Sequence, residues 1–193
     1  MSQKYPALDF QSMPVGAGYS RPEQQFPGGL TVDSPAVEAM TDLRRVTALT
    51  VERTNTLAAT RERMKKLGVR MLLVTGATGA VMGVITVTDL DSGRPEKIAS
   101  KTGEQPEELL VQDIMTLRGR IEVLTLAAVE KAVVGQVLSS LREAQRRHAL
   151  VLDNDEHICG IFSLTRVCGQ VGLDIQPGEP MPKIEAALKT VLD

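Results

Sequence analysis

Apolar and polar residues follow two different periods along this chain. From Thr54 to Leu67 the apolar positions Leu57, Ala58, Met64 and Leu67 share one face, and Gly68 sits where a helix stop belongs, which predicts an amphipathic helix. Two short apolar runs follow, Met71 to Thr75 and Val81 to Thr86, parted by Thr75-Gly76-Ala77-Thr78-Gly79, and these predict a β-hairpin. The same order returns later in the chain. Val129 to Arg146 reads as a longer amphipathic helix, and Ala149 to Leu152 and Ile158 to Phe162 read as a hairpin turning at Asp153-Asn154-Asp155-Glu156. Residues 1–34 are rich in Pro, Gly, Gln and Ser without periodicity and predict an extended or partly disordered arm. The tail, 174–193, opens with the breaker Asp174-Ile175-Gln176-Pro177-Gly178 and then places Ile184, Ala187, Leu188, Val191 and Leu192 on one helical face. A helix this short is marginal alone, so it is expected to dock on the rest of the chain or on a partner.

The recurrence extends to individual residues. Gly83-Val84-Ile85-Thr86-Val87-Thr88-Asp89-Leu90 returns 77 positions later as Gly160-Ile161-Phe162-Ser163-Leu164-Thr165-Arg166-Val167, and Arg70 with the run behind it returns as Arg147 and His148. Upstream the offset is 75: Glu38-Ala39-Met40-Thr41 matches Asp113-Ile114-Met115-Thr116, and Val46, Leu49 and Thr50 match Ile121, Leu124 and Thr125. Two units of about 70 residues follow, 35–104 and 105–173, an internal pair rather than a long solenoid. The fold class predicted is α+β, two pseudo-symmetric β-α-β-β-α units packed together.

Composition narrows the function. With 193 residues, 42% of them hydrophobic, and a net charge of −2, the chain buries a real core and carries no charge excess calling for nucleic acid or an acidic membrane. Cys159 and Cys168 lie in apolar stretches and read as a reduced, buried pair rather than a disulfide or metal site. The opening residues lack the apolar core of a signal peptide, which leaves the cytoplasm as the default. Met71 to Val87 is uncharged over 17 residues, but its glycine-rich centre reads as a turn between strands and not as part of a membrane span.

Thr86 and Ser163 fall where a strand ends and a short helix begins, an N-cap position, with Asp89 and Arg166 in the first helical turn. A carboxylate beside a helix N-terminus accepts hydrogen bonds from a vicinal diol such as a ribose. The plainer alternative is that Thr86 and Asp89 only form a capping box, and it stays open. Arg at 166 cannot accept from a diol, so the repeat predicts one working site and one altered site.

Both units resemble cystathionine beta-synthase (CBS) domains, and the pair resembles the tandem arrangement called a Bateman module, over about residues 35–173. The Met-Thr starts and the Gly-apolar-apolar-Thr/Ser endings carry the likeness. The resemblance implies two clefts between the units that take adenosine-containing ligands, AMP, ADP or ATP, and a homodimer paired through helices 54–67 and 129–146. In the first cleft it implies Thr86 and Asp89 on the ribose, Thr116, Ile121 and Arg146 around the base, and Arg147 and His148 at phosphate positions. In the second it implies Thr41, Val46, Val69, Arg70 and Ser163, with Arg166 in place of the ribose-binding Asp. That Arg either grips a phosphate or fills the cleft, and the expectation is a filled or vacant cleft rather than a second nucleotide.

The remaining candidates have plain readings. Arg146-Arg147-His148 also suits a helix end, Arg44-Arg45 and Arg118 to Arg120 suit the surface, His157 suits an exposed turn, and Met40 and Met115 suit a core. A dehydrogenase reading rests on Thr75-Gly76-Ala77-Thr78-Gly79 after an apolar strand. It fails on the strand-like residues that follow, on the spacing of Gly83, and on Tyr5 and Tyr19, which have Asp9 and Glu23 where a lysine is required. The expected function is a non-enzymatic regulatory module that senses an adenine nucleotide or a related adenosyl ligand by conformational change. The alternative is a ligand-free dimerisation or partner-docking module, and the span 35–173 is expected to hold its ligand without either end.

Overall fold

Alternation of side chains along each hairpin decides where the chain buries its residues. In the computed structural model, which describes residues 11–15 and 24–192, the elements run as follows. The first half holds α1 (Ala36–Ala39), β1 (Thr41–Asp42), β2 (Thr50–Glu52), α2 (Leu57–Leu67), β3 (Met71–Thr75), β4 (Val81–Thr86), α3 (Val87–Leu90) and α4 (Arg94–Thr102). The second half holds α5 (Val111–Ile114), β5 (Thr116–Leu117), β6 (Val123–Thr125), α6 (Leu126–Val129), α7 (Val134–Glu143), β7 (His148–Leu152), β8 (Ile158–Ser163), α8 (Leu164–Gln170) and α9 (Met181–Leu192). Leu72, Val74 and Ile85 point to a helix-covered core with Leu57 and Met64, while Met71, Leu73 and Val84 point the other way. There they meet Leu150, and Ile121, Ile158 and Ile161 pack against the cluster, so the two sheets share a central apolar seam. Val151, Phe162, Leu138 and Leu164 form the second helix-covered core.

The two four-stranded sheets run β2-β3-β4-β5 and β1-β8-β7-β6. Each unit therefore lends its opening strand to the other unit's sheet: Thr116 and Leu117 pair with Val84 and Gly83, and Thr41 and Asp42 pair with Ile161 and Gly160. The repeated glycines have a steric reason. A Cβ on Gly83 would lie 2.1 Å from the Thr116 carbonyl oxygen, and one on Gly160 would lie 2.2 Å from the Met40 sulfur.

Several expectations need correction. Thr50 pairs with Leu73 and Val123 pairs with Leu150, so Val123 and not Thr125 is the true counterpart of Thr50. The second unit is shorter before β6 and longer after it, where α6 is inserted. In that register Ala48, not Val46, holds the place of Ile121, and both pack against the central seam. The helix expected over Val129 to Arg146 is broken. Val133 is held extended by a bridge to Pro35, the Ala132 carbonyl accepts from the Ala36 amide, and the Val134 and Gly135 amides donate to Ser34 and Val32. Residues 32–36 thus take the backbone partners that a continuous helix would have used. The same helix stops early because Gln145 adopts φ 54°, the left-handed turn that Gly68 makes at φ 64° in the first unit. The first helix starts at Leu57 rather than Thr54 because the Thr56 hydroxyl accepts from the Ala59 amide.

The hairpins lie where the residue pattern puts them, and β4 follows the glycine turn as a strand antiparallel to β3, which removes the dinucleotide-binding reading. Tyr5, Tyr19, Asp9, Glu23 and most of the arm lie outside the described residues. No helix among those described is long and apolar enough to cross a membrane. Both cysteines are free and buried, and burial pushes the Cys168 thiol up to about 11. The tail is more deeply embedded than expected. Ile184 and Leu188 are fully buried, Ile175 and Leu30 join the same core, and α9 lies on α7. On α2, Leu57 and Met64 are buried while Ala58 and Leu67 are exposed beside Glu62, Lys65 and Lys66, and on α7 Val134, Val137, Leu138 and Leu141 are buried.

Two stability predictions follow from these contacts. Gly83→Ala should cost about 1–3 kcal/mol, more than Gly160→Ala, because a backbone carbonyl cannot move aside as a methionine side chain can; denaturant melts of both variants compare them. Leu188→Ala should cost about 2–5 kcal/mol, and a chain ended at 173 should melt well below the full chain. Equal melting of the full and shortened chains would contradict the embedded tail.

Candidate functional site

The site begins at the end of β4. Thr86 caps α3 in a reciprocal box: its hydroxyl accepts from the Asp89 amide at 3.2 Å, and Asp89 Oδ2 accepts from the Thr86 amide at 2.8 Å and its hydroxyl at 2.7 Å. The Val87 amide, next along, donates to the Arg70 carbonyl at 2.9 Å. Asp89 is therefore both a cap and a wall residue. Oδ2 serves the helix, while no hydrogen bond among the described residues engages Oδ1.

A cavity of about 530 Å³ opens between the two sheets at this point, within the usual range for small-molecule sites. Thr86, Asp89, Thr116, Ile121, Arg146, Arg147 and His148, expected together from the sequence, all line it. Met71, Val84 and Leu150 from the central seam form an apolar floor. Arg70, placed by sequence in the other cleft, belongs to this wall because its position just before β3 borders the same opening. Sequence reasoning missed Arg120, Glu122 and Met181. Arg120, which suits the surface by sequence, lines the cavity instead, and its adjacency to Ile121 is the signal for it. Met181 arrives from the tail, and no local pattern announces it.

The cavity is short of negative charge. Arg146 pairs with Glu122, but among the described residues no carboxylate lies within ion-pair distance of Arg70, Arg120 or Arg147. Arg147 instead donates to the Glu179 carbonyl of the tail. His148 is half-buried, and burial first, then the neighbouring Arg147 and Arg70 charges, holds its pKa down to about 4. It is neutral at pH 7 and offers one N–H donor and one acceptor.

The pseudo-symmetric position looks different. Ser163 stands at the N-cap of α8 without a side-chain cap bond, and Arg166 has no carboxylate to bond the Ser163 amide in return. Its guanidinium turns to Thr41 at 3.3 Å and lies over the Phe26 ring, 5.0 Å from the centroid. Val69 packs against the first unit's core. Arg44 clamps Asp42 and is exposed, and His157 is exposed in its turn. Met40 and Met115 are buried. No group of three or more metal-ligating side chains occurs among the described residues.

No protein-family model matches the sequence, and no curated protein matches it significantly. Solved structures do match. The CBS-domain containing protein from Agrobacterium tumefaciens is similar at 19% identity, over 77% of this chain and 98% of that one, with a TM-score of 0.54. CBSX2 in complex with AMP is similar at 23% identity over 73% and 95%, with a TM-score of 0.50. The CBS domain of a bacterial CNNM/CorC family Mg2+ transporter in complex with ATP is similar at 19% over 75% and 91%, with a TM-score of 0.53. The chain has the α+β fold of a tandem CBS-domain pair.

His148 makes the site's environment measurable. Its pKa is lowered in the fold, so the unfolded chain binds the proton more readily, and stability is present above about pH 6.5 and lost as pH falls toward 4. Between pH 6.5 and 5 the loss from this group should approach about 1.5 kcal/mol. His148→Gln should flatten that part of the stability profile in denaturant titrations; an unchanged slope would show that the imidazole is not desolvated.

Proposed function

We propose, with the tandem CBS fold as premise, that this chain is a regulatory module whose first cleft binds an adenine nucleotide. One observation carries the reading: a single cavity is lined by a helix-start carboxylate, apolar residues of the central seam, and three guanidiniums that have no carboxylate within ion-pair distance among the described residues. A nucleotide matches this order of chemistry. The ribose diol meets Asp89 Oδ1 and the Thr86 end of α3, the base lies among Ile121, Val84 and Leu150, and the phosphates meet Arg70, Arg120 and Arg147. The AMP- and ATP-bound neighbours support the ligand class. The cation excess favours ADP or ATP over an uncharged nucleoside or a cationic adenosyl ligand. Binding draws the β4–α3 side and the Arg147 side together across the central seam, and that closure is the signal.

Calorimetry tests this directly. ATP and ADP should bind, adenosine should bind at least about tenfold more weakly, and Asp89→Ala should weaken ATP by about 1.5–3 kcal/mol. The same substitution removes half of the capping box, so it should also cost about 1 kcal/mol in stability, read separately by melting. An Asp89→Ala protein that stays folded and binds ATP normally would move the site elsewhere.

A further inference from the structure

Gln24 and Phe26 of the N-terminal arm meet β1 and Arg166 of the second cleft in three specific contacts. β1 is an edge strand of its sheet, and the Gln24 side-chain amide pairs with it as a strand residue would: Nε2 donates to the Met40 carbonyl at 2.8 Å, and Oε1 accepts from the Asp42 amide at 2.7 Å. Two residues on, Phe26 lies against the Arg166 guanidinium, which also reaches Thr41. These positions are the symmetry mates of the first site. Thr41 pairs with Ile161 as Thr116 pairs with Val84, and Arg166 stands three residues after Ser163 as Asp89 stands after Thr86. An aromatic ring from the chain itself thus lies against the residue that takes the place of Asp89, and the Gln24 amide holds it there from the free edge of β1.

We infer that residues 24–27 are a built-in plug of the second cleft, with Arg166 as its clasp. The replacement of carboxylate by guanidinium does two things at once. It removes the diol acceptor, and it supplies a cation whose flat face binds an aromatic ring. A ligand entering this cleft must displace Phe26, so release of the arm and occupancy of the second cleft form one equilibrium. The arm is the element that this cleft controls. The second part of the test rests on the nucleotide reading of the first cleft, whereas the first part does not.

Hydrogen exchange of the full chain tests the seating. In Gln24→Ala/Phe26→Ala the Asp42 amide should exchange about tenfold faster or more, while amides of β3 and β4 stay unchanged. An Asp42 amide that exchanges alike in both proteins would show that the arm does not sit there. Calorimetry with ATP tests the closure. The wild type and the double variant should each bind one ATP per chain with the same affinity. Adding Arg166→Asp to the double variant, which restores the carboxylate and opens the cleft, should raise the number to two. A folded triple variant still binding one ATP would overturn the plug. A wild type binding no ATP would instead overturn the nucleotide reading, with the exchange result still deciding whether the arm is seated.

Discussion

At Gly83 the carbonyl of Thr116 passes through the space where any other residue would place its first side-chain carbon, and the architecture depends on that approach. It lets the opening strand of the second unit join the first unit's sheet, as Gly160 lets Met40 and β1 settle on the second. The exchange ties the units together by backbone hydrogen bonds as well as by the apolar seam of Met71, Leu73, Val84 and Leu150. It also brings Thr116 of one unit and Thr86 and Asp89 of the other to a single opening. Without the exchange neither cleft would have two walls.

The two clefts share one plan and differ in charge. In the first, a carboxylate at the third helical position completes a capping box through one oxygen and lines the cavity. In the second, a guanidinium takes that position, Ser163 makes no side-chain cap bond, and the guanidinium reaches a threonine and an aromatic ring. The chain ends follow that divergence. Gln24 and Phe26 lie beside the altered cleft, and the tail sets Met181 and the Glu179 carbonyl against the first one, next to Arg147. Segments outside the repeat therefore border both sites and link each to a terminus.

Local pattern was enough for the hairpins, the Thr86–Asp89 cap and the buried methionines, because each depends on neighbours within a few residues. The seven residues that the family resemblance implies for the first cleft line one cavity, because the exchanged strand β5 brings Thr116 and Ile121 to the end of β4, where Thr86 and Asp89 stand. Where the repeat contains an insertion, the pattern misled. Val46 was matched to Ile121, whereas strand pairing puts Ala48 there.

What the sequence determined by itself was the doubled plan and the single altered residue in it, since both are properties of order along the chain. What the tertiary structure decided was everything that depends on which distant segment competes for a backbone group or a face. Residues 32–36 break the long helix by taking its amides and carbonyl. Arg70 enters the first cleft, α9 becomes part of a core, and Gln24 and Phe26 close on Arg166. Hydrogen-bond partners and apolar faces are limited, and only the folded chain shows which of several competent segments occupies each.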